Sequence, residues 1–224
     1  MKVLIACEES QEVCKAFRAL GHESYSCDIQ ECSGGHPEWH IQGDVLPLIN
    51  GNCTFHTSDT HTHTQSGPWD LLIAHPPCTY LTNAGAVRMR VKGEIQKERY
   101  EKALEAKAFF MEFYNAQCPR VAIENPTPMK IVGLPPYDQV IQPYMFGHPY
   151  SKRTCLWLKG LPILMATDIY MEHEPYVNGG CKDAHGNYRR FQGRKERDQK
   201  TRSKTFPGIA RAMAEQWGTI TQGR

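Results

Sequence analysis

Short apolar runs alternate with amphipathic segments along this chain. Residues 2–7, 23–28 and 69–77 contain runs typical of buried strands, and further strands are predicted at 120–128 and 153–160. Amphipathic helices are predicted over residues 9–20, 94–116 and 207–218. Strands that alternate with helices indicate an α/β fold, so we expect a mostly parallel sheet flanked by helices.

Two further segments have patterns that predict their environment. The helix at 94–116 carries Tyr100, Leu104, Ala108 and Met111 on one side, and this side is predicted to face the core. Residues 50–68 are polar without an apolar period, which predicts an exposed loop or hairpin.

Polar residues follow the predicted strands at the points where these strands end. In parallel sheets, ligands bind beyond the carboxyl ends of the strands. The sequence therefore predicts a site at this edge of the sheet, formed by Cys7 to Glu9, Asp28, Asp44, Cys78, Glu124 and Asn125.

Cys78 is the candidate nucleophile of this site. It follows Pro76 and Pro77, which cannot donate to a central ladder and so end the strand. Glu124 also lies at a strand end, and its carboxyl group can exchange a proton during attack on an electron-poor ring. Arg153 is expected to stabilise negative charge near the thiolate or on a substrate oxygen.

Several motifs resemble those of the DNA cytosine-C5 methyltransferases, in the order and spacing of that family. The segment PPCTYLTNAG is similar to its Pro-Cys motif, VAIENP to its Glu-Asn motif and FGHPYSKRTCLWL to its arginine motif. The tripeptide GDV resembles the third cofactor motif, and TFPGIARAMAEQWG occupies the place of the final helix. The sequence departs from the family at Thr79, where glutamine is usual, and at IACEESQEV, which replaces a glycine-rich first motif.

This resemblance implies a Rossmann-like, class I methyltransferase fold and a covalent mechanism. Cys78 would attack carbon 6 of cytosine, Glu124 would bind ring nitrogen 3 and Arg153 would hold the oxygen at position 2. Asn125, with Pro126, would shape the turn that aims Glu124, and Pro77 completes the catalytic set. S-adenosylmethionine would supply the methyl group, and a base within duplex DNA would have to flip out. The residues implied for the cofactor are Ala6, Cys7, Glu8, Asp28, Ile29, Asp44, Val45 and Pro76.

Two basic segments are candidates for contacts with phosphate. One follows the Cys78 loop, and the other, residues 188–204, holds eight Lys or Arg residues against two acids. The alternative is that both are solvated surface. The predicted nucleic-acid contacts are Arg88, Arg90, Lys92, Lys152, Arg189, Arg190, Arg194 and Lys195.

The predicted organisation is a catalytic domain of residues 1–159 and 205–224 with an inserted recognition segment of residues 160–204. This segment is short for reading a long site, so we expect a relaxed or very short target sequence, or a helper protein. The resemblance is to a compact form found in phages and prophages.

Composition narrows the remaining possibilities. The net charge of +2 argues against a polyelectrolyte role, and no run approaches the length of a membrane span of about 20 apolar residues. Nine cysteines without CxxC pairs, and no secretory signal, predict reduced thiols in a cytoplasm, and no metal site. The resemblance implies that this is the cytoplasm of a bacterium or phage-infected cell. Two alternatives stay open: an enzyme that modifies a free cytosine nucleotide or uses another donor, and a catalytically silent DNA-binding relative.

Overall fold

A seven-stranded sheet forms the centre of the molecule. The computed structural model describes residues 1–177, 179–182, 187–191 and 202–220. The strands of the central sheet, numbered in chain order, are β1 (Lys2–Ala6), β2 (Glu23–Asp28), β3 (His40–Gln42), β4 (Leu71–Ala74), β5 (Val121–Pro126), β6 (Gln139–Ile141) and β7 (Thr154–Lys159).

The order of these strands is β3-β2-β1-β4-β5-β7-β6. Strands β1 to β5 pair in parallel, whereas β7 runs antiparallel to β5, and β6 antiparallel to β7. The first five strands thus have the doubly wound order of a Rossmann-like sheet, with an antiparallel pair added at one edge. This confirms the predicted fold class, although the short strand β6 was not among the predicted strands.

Helices cover both faces of this sheet. Alternate residues of β1 point to opposite sides: Val3 and Ile5 belong to the hydrophobic cluster beneath α1 and α4, and Leu4 and Ala6 to the cluster beneath α3. The result is a three-layer α/β sandwich. The helices in the described residues are α1 (Glu12–Ala19), α2 (Ala86–Met89), α3 (Lys97–Asn115) and α4 (Pro207–Trp217), with 3-10 turns at Pro37–Trp39, Asn83–Gly85, Lys130–Val132 and Pro143–Met145.

The buried face of α3 differs from the predicted one. Leu104 and Ala108 are exposed, while Ala103, Phe110 and Phe113 are buried. Phe110 packs edge-on against Trp157 of β7, with ring centroids 5.0 Å apart. Two phenylalanines bury more apolar area than a leucine and an alanine, so the helix turns its aromatic side to the sheet.

The segment at residues 50–68, predicted to be an exposed loop or a hairpin, forms a hairpin. Cys53–His56 pairs antiparallel with Thr62–Gln65. It is only partly exposed, because Phe55 is buried and its ring lies 5.1 Å from that of Tyr25. A single buried aromatic residue was too weak a signal to predict this packing from sequence.

The first part of the predicted recognition segment packs on the main body. Leu164 is buried in the cluster beneath α1 and α4, and the indole of Trp217 donates to the carbonyl of Pro162 at 3.1 Å. Tyr150–Ser151 pairs with Glu174–Pro175, so the residues up to 175 are also connected to the main body.

The other small strand pairs are Arg90–Val91 with Glu94–Ile95, and Gly179–Lys182 with Tyr188–Phe191. None of the helices in the described residues has the length and apolar character needed to cross a membrane.

Candidate active site

The pairing of β4 with β5 brings Cys78 and Glu124 to the same edge of the sheet. Strand β4 ends at Ala74, whereas β5 continues through Glu124 to Pro126, paired there with β7 alone. Strands β4 and β5 are parallel neighbours, and Ala74 is paired with Ile123. The next residues, His75 and Glu124, are therefore adjacent at the carboxyl edge. Cys78 follows after the two prolines and is partly exposed, as a nucleophile requires.

The loop that carries Cys78 is fastened to the chain after β5. The side chain of Asn125 donates from Nδ2 to the carbonyl of Pro76 at 2.8 Å and is buried. The amide of Asn83 donates to the carbonyl of Thr127 at 2.8 Å. These two hydrogen bonds hold the loop that carries Cys78 against the segment that carries Glu124. Asn125 thus connects the two loops, which is consistent with the positioning role predicted for it.

The electrostatic environment keeps the resting thiol protonated. Burial raises the pKa of Cys78, and the negative charge of Glu124 raises it further. The positive charge of Lys152 opposes this rise without cancelling it. Burial alone would raise the pKa of Glu124 as well, but the hydrogen bond from His75 and the charges of His75 and Lys152 hold it below its ordinary value.

The cation that acts on the pair is Lys152. Its charge influences both Cys78 and Glu124, and its Nζ donates to the carbonyl of Arg202 at 2.9 Å. Arg153 is exposed and donates instead to the hydroxyls of Thr127 and Tyr137, at 3.1 and 3.2 Å.

Sequence analysis assigned the charge-stabilising role to Arg153 and a phosphate contact to Lys152. Lys152 and Arg153 therefore act on different neighbours in the structure, and the roles assigned to them from the sequence stay predictions.

A second group of predicted residues meets at the ends of β1, β2 and β3. Burial, together with the charges of Asp28 and Asp44, raises the pKa of Cys7, so these three residues lie close together. The amide of Gly43 donates to the carbonyl of Asp28 at 2.9 Å. Ile29 follows Asp28 with 77 % of its surface exposed, which leaves an apolar side chain open beside two carboxylates. The other residues predicted for the cofactor site, Ala6, Val45 and Pro76, are buried beneath these side chains.

The glycine-free loop after β1 makes its turns with other residues. Cys7 and Gln11 both have a φ of 59°, in the left-handed region that favours glycine. Glu8 is buried, and its carboxylate accepts from the amides of Val13 and Cys14 at the start of α1, at 2.7 and 3.2 Å. The carboxylate of Glu8 is thus bound to the start of α1, and its amide donates to the carbonyl of Cys27 at 3.2 Å. The cofactor contact of Glu8 stays a prediction.

The basic segment after Cys78 is mostly exposed and is attached to the hydrophobic core through buried Met89. We call residues 86–96 the basic arm. Arg88, Arg90 and Lys92 are exposed on it, and so is Val87, at 80 %. In the other basic segment, Arg189 and Arg190 belong to the strand Tyr188–Phe191, while Arg194 and Lys195 lie outside the described residues.

Comparisons with known proteins find similarity at the level of the fold. No protein-family model and no curated protein matches the sequence. Similar solved structures include a DNA modification methyltransferase encoded within a prophage in E. coli, at 15 % identity and a TM-score of 0.43, covering 76 % of this chain and 52 % of that one.

Two further structures are similar in the same way. The methyltransferase EhMeth of Entamoeba histolytica has 11 % identity and a TM-score of 0.43, covering 76 % of this chain and 57 % of its own. The Dnmt2 methyltransferase of S. pombe has 13 % identity and a TM-score of 0.38, covering 73 % and 51 %. This chain spans about half the length of these proteins.

Sequence analysis did not single out His75. Its Nδ1 lies 3.2 Å from Oε2 of Glu124, and only 11 % of its side chain is exposed. The available signal was its position, because it follows β4 directly and precedes the two prolines. A titratable residue at the end of a buried strand is placed at the ligand-binding edge by the same rule that selected Glu124.

Proposed function

We propose that this chain transfers a methyl group from S-adenosylmethionine to carbon 5 of cytosine in DNA, through a covalent adduct with Cys78. The observation that supports this most is the meeting of a partly exposed thiol and a carboxylate at neighbouring strand ends, with Lys152 acting on both. A nucleophile beside a proton-exchanging group is the arrangement that addition to an electron-poor ring requires.

The residues of the site would act on the base in a defined order. The Cys78 thiol gives its proton to Glu124 as the sulfur forms a bond to carbon 6. The electron pair of the 5,6 double bond activates carbon 5 while negative charge grows on the ring at nitrogen 3 and oxygen 2. Glu124 holds a proton at nitrogen 3, and Lys152 offsets charge on the oxygen. After carbon 5 has gained the methyl group, a base removes the proton from that carbon. Cys78 then leaves as thiolate and the double bond re-forms.

The residues at the ends of β2 and β3 fit the nucleoside part of the cofactor. Carboxylates such as Asp28 and Asp44 accept hydrogen bonds from ribose hydroxyls or a base amine, and exposed Ile29 offers an apolar surface to a flat ring. When bound, S-adenosylmethionine supplies an electrophilic methyl group. The chain's contribution is to hold this donor beside the Cys78 loop.

DNA is the proposed substrate because of the basic arm. Three cations project from a segment that begins eight residues after Cys78, where they are able to contact phosphates flanking a flipped base. A base in a duplex is out of reach of Cys78 unless it is unstacked, at a cost of about a few kcal/mol.

The test is to weigh the cytosine products of the purified protein. Mixed-sequence duplex DNA, single-stranded DNA and dCMP are incubated separately with S-adenosylmethionine, digested to nucleosides and analysed by mass spectrometry. We expect cytosine heavier by one methylene from DNA. The product should be absent with Cys78→Ala and retained with Cys53→Ala, a matched change of another partly exposed cysteine.

Other results would select other functions. Full product with Cys78→Ala would exclude the covalent mechanism. Modification of dCMP alone would favour a nucleotide enzyme, and a different added mass would indicate another donor. DNA binding without product, under conditions in which the fold is intact, would favour a silent binding protein.

A further inference from the structure

His75 interacts with two acids at the carboxyl edge of the sheet, partly buried Glu124 and buried Glu8. Its amide donates to the carbonyl of Ala6 in the neighbouring strand at 2.9 Å, which fixes the backbone. Its Nδ1 contacts Oε2 of Glu124 at 3.2 Å. Its Nε2 is buried and has no hydrogen-bond partner among the described residues. His75 is thus more buried than Glu124, with 11 % against 18 % of the side chain exposed, and contacts it from the interior.

The charges around the ring come from three elements. Glu124 approaches from β5, Glu8 from the loop after β1, and Lys152 from the segment before β7. Cys78 lies on the same loop as His75. The two acids favour a positive ring and the lysine opposes it, so the net influence on His75 is that of its carboxylate neighbours.

We infer that His75 is a positioning residue for Glu124, holding one carboxylate oxygen by a hydrogen bond and supplying the proton that Glu124 presents to the substrate ring. This inference rests on the proposed function, because it concerns the reaction at the same site. The bond to Oε2 leaves Oε1 free to face the base. A carboxylate anchored at one oxygen is restricted in rotation, so its other oxygen points in a defined direction.

The proton balance of this step is closed within the site. At rest the proton lies on Nδ1 of His75 and Glu124 is ionised. As the Cys78 sulfur bonds to carbon 6, the thiol proton passes to Oε1 of Glu124. Nitrogen 3 becomes more basic and takes this proton from Oε1, while Oε2 takes the proton from Nδ1. The ring of His75 becomes neutral, and elimination of Cys78 returns the proton along the same path.

The direction of the titrations agrees with this arrangement. Burial works against the charged ring, but the hydrogen bond to Glu124 and the charges of Glu124 and Glu8 outweigh it, so the pKa of His75 lies above its ordinary value. The pKa of Glu124 is lowered by the same contact. The raised pKa of His75 and the lowered pKa of Glu124 both favour the pair in which the ring is charged and the carboxyl group is ionised.

The first test uses the free protein and needs no reaction. Histidine side chains are labelled and followed by NMR across pH in the wild type and in Glu124→Gln, with exposed His61 as internal reference. We expect the midpoint of His75 to fall by about one pH unit or more in the variant. An unchanged midpoint would overturn the inference, since the two groups would then not share a proton.

The second test measures the single-turnover rate of adduct formation with His75→Asn and His75→Ala. An asparagine amide can occupy the place of Nδ1 and donate to Glu124, but it has no proton to give up. We expect both variants to lose about 100-fold in rate, with DNA affinity retained and the rate no longer following the titration of His75. His61→Asn is the matched control.

A near-wild-type rate in His75→Asn, with an unchanged pH profile, would overturn the proton-supplying role. The two tests separate the inference from the proposed function. If the wild type forms no product, the methyltransferase proposal fails, while the titration of the free protein still decides whether His75 and Glu124 are coupled.

Discussion

At the level of single residues, the reactivity of Cys78 depends on burial and on nearby charges of both signs: burial and Glu124 raise the pKa of the thiol, and Lys152 and Arg202 lower it. The thiolate is the nucleophile, so the resting site is poorly reactive until the charge balance changes. Binding of a substrate that covers Glu124, or of a donor with positive charge, would shift this balance toward the thiolate.

Alkylation measures this balance directly. In Glu124→Gln the thiol loses a negative neighbour, so we expect Cys78 to react faster with iodoacetamide at pH 8 than in the wild type. In Lys152→Gln it loses a positive neighbour, and we expect slower labelling. Mass spectrometry of the Cys78 peptide gives both rates, with the Cys53 peptide as reference. Changes in the same direction for both variants would contradict this account.

The pair of His75 and Glu124 also predicts how stability varies with pH. The pKa of Glu124 is lowered from 4.5, so the contribution of this residue to the free energy of unfolding is lost as the pH falls through the lowered value. The pKa of His75 is raised from 6.5, so its contribution is complete below 6.5 and lost as the pH rises through the raised value.

The pair therefore stabilises most between these two ordinary values. We expect His75→Asn to lower the free energy of unfolding by about 1–3 kcal/mol in this window and by less outside it. Urea unfolding of both proteins from pH 4 to pH 9 checks this. A difference that does not vary with pH would mean that His75 contributes by packing alone.

At the level of elements, the first turn of α4 closely approaches the segment after the 3-10 turn Pro143–Met145. The amide of Gly208 donates to Nε2 of His148 at 3.0 Å, and a Cβ at this position would overlap the carbonyl oxygen of Phe146. The first turn of α4 therefore requires a residue without a side chain. Pro207 is the first residue of α4, and its fixed φ favours the start of the helix at this position.

Gly208→Ala tests this contact. Alanine favours a helix by about 1 kcal/mol over glycine, so a change in propensity alone would stabilise α4. Because of the overlap we expect the opposite, a loss of about 1–3 kcal/mol in the free energy of unfolding. Gly43→Ala, where a Cβ meets open space, is the control and should change stability by about 0.5 kcal/mol or less. A stabilised Gly208→Ala protein would show that α4 adjusts freely.

At the level of the whole molecule, charge is distributed unevenly although the net charge is only +2. The basic arm carries cations beside exposed Val87, Val91 and Ile95. A nearly neutral protein is not attracted to DNA by its total charge, so any salt-dependent affinity has to arise from such local groups. This makes the arm the part of the described chain best suited to contact DNA.

The salt dependence of DNA binding tests the arm. Each of Arg88→Ala, Arg90→Ala and Lys92→Ala should reduce the slope of log affinity against log salt by up to about 0.9. Lys15→Ala, on α1 and paired with Glu12, should leave the slope unchanged. Fluorescence anisotropy with a labelled duplex at several salt concentrations gives the slopes. Equal slopes in all four variants and the wild type would mean that the arm is solvated surface.

Much of the site could be predicted from the sequence because parallel strands end at one edge. This rule placed Cys78 and Glu124 together without any knowledge of side-chain contacts. It could not distinguish Lys152 from Arg153, since the side that each faces depends on how β7 enters antiparallel between β5 and β6. The same rule did not predict that amides at the start of α1 would donate hydrogen bonds to the Glu8 carboxylate.

The sequence by itself determined the α/β class, the main strands and the edge at which the chemistry lies, because these follow from local hydrophobic period and from where strands stop. Only the tertiary structure decided which neighbours face one another: the aromatic side of α3 against Trp157, Lys152 toward Cys78, and His75 against Glu124. These contacts join residues distant in sequence, and their energies depend on burial and on charge separation in three dimensions.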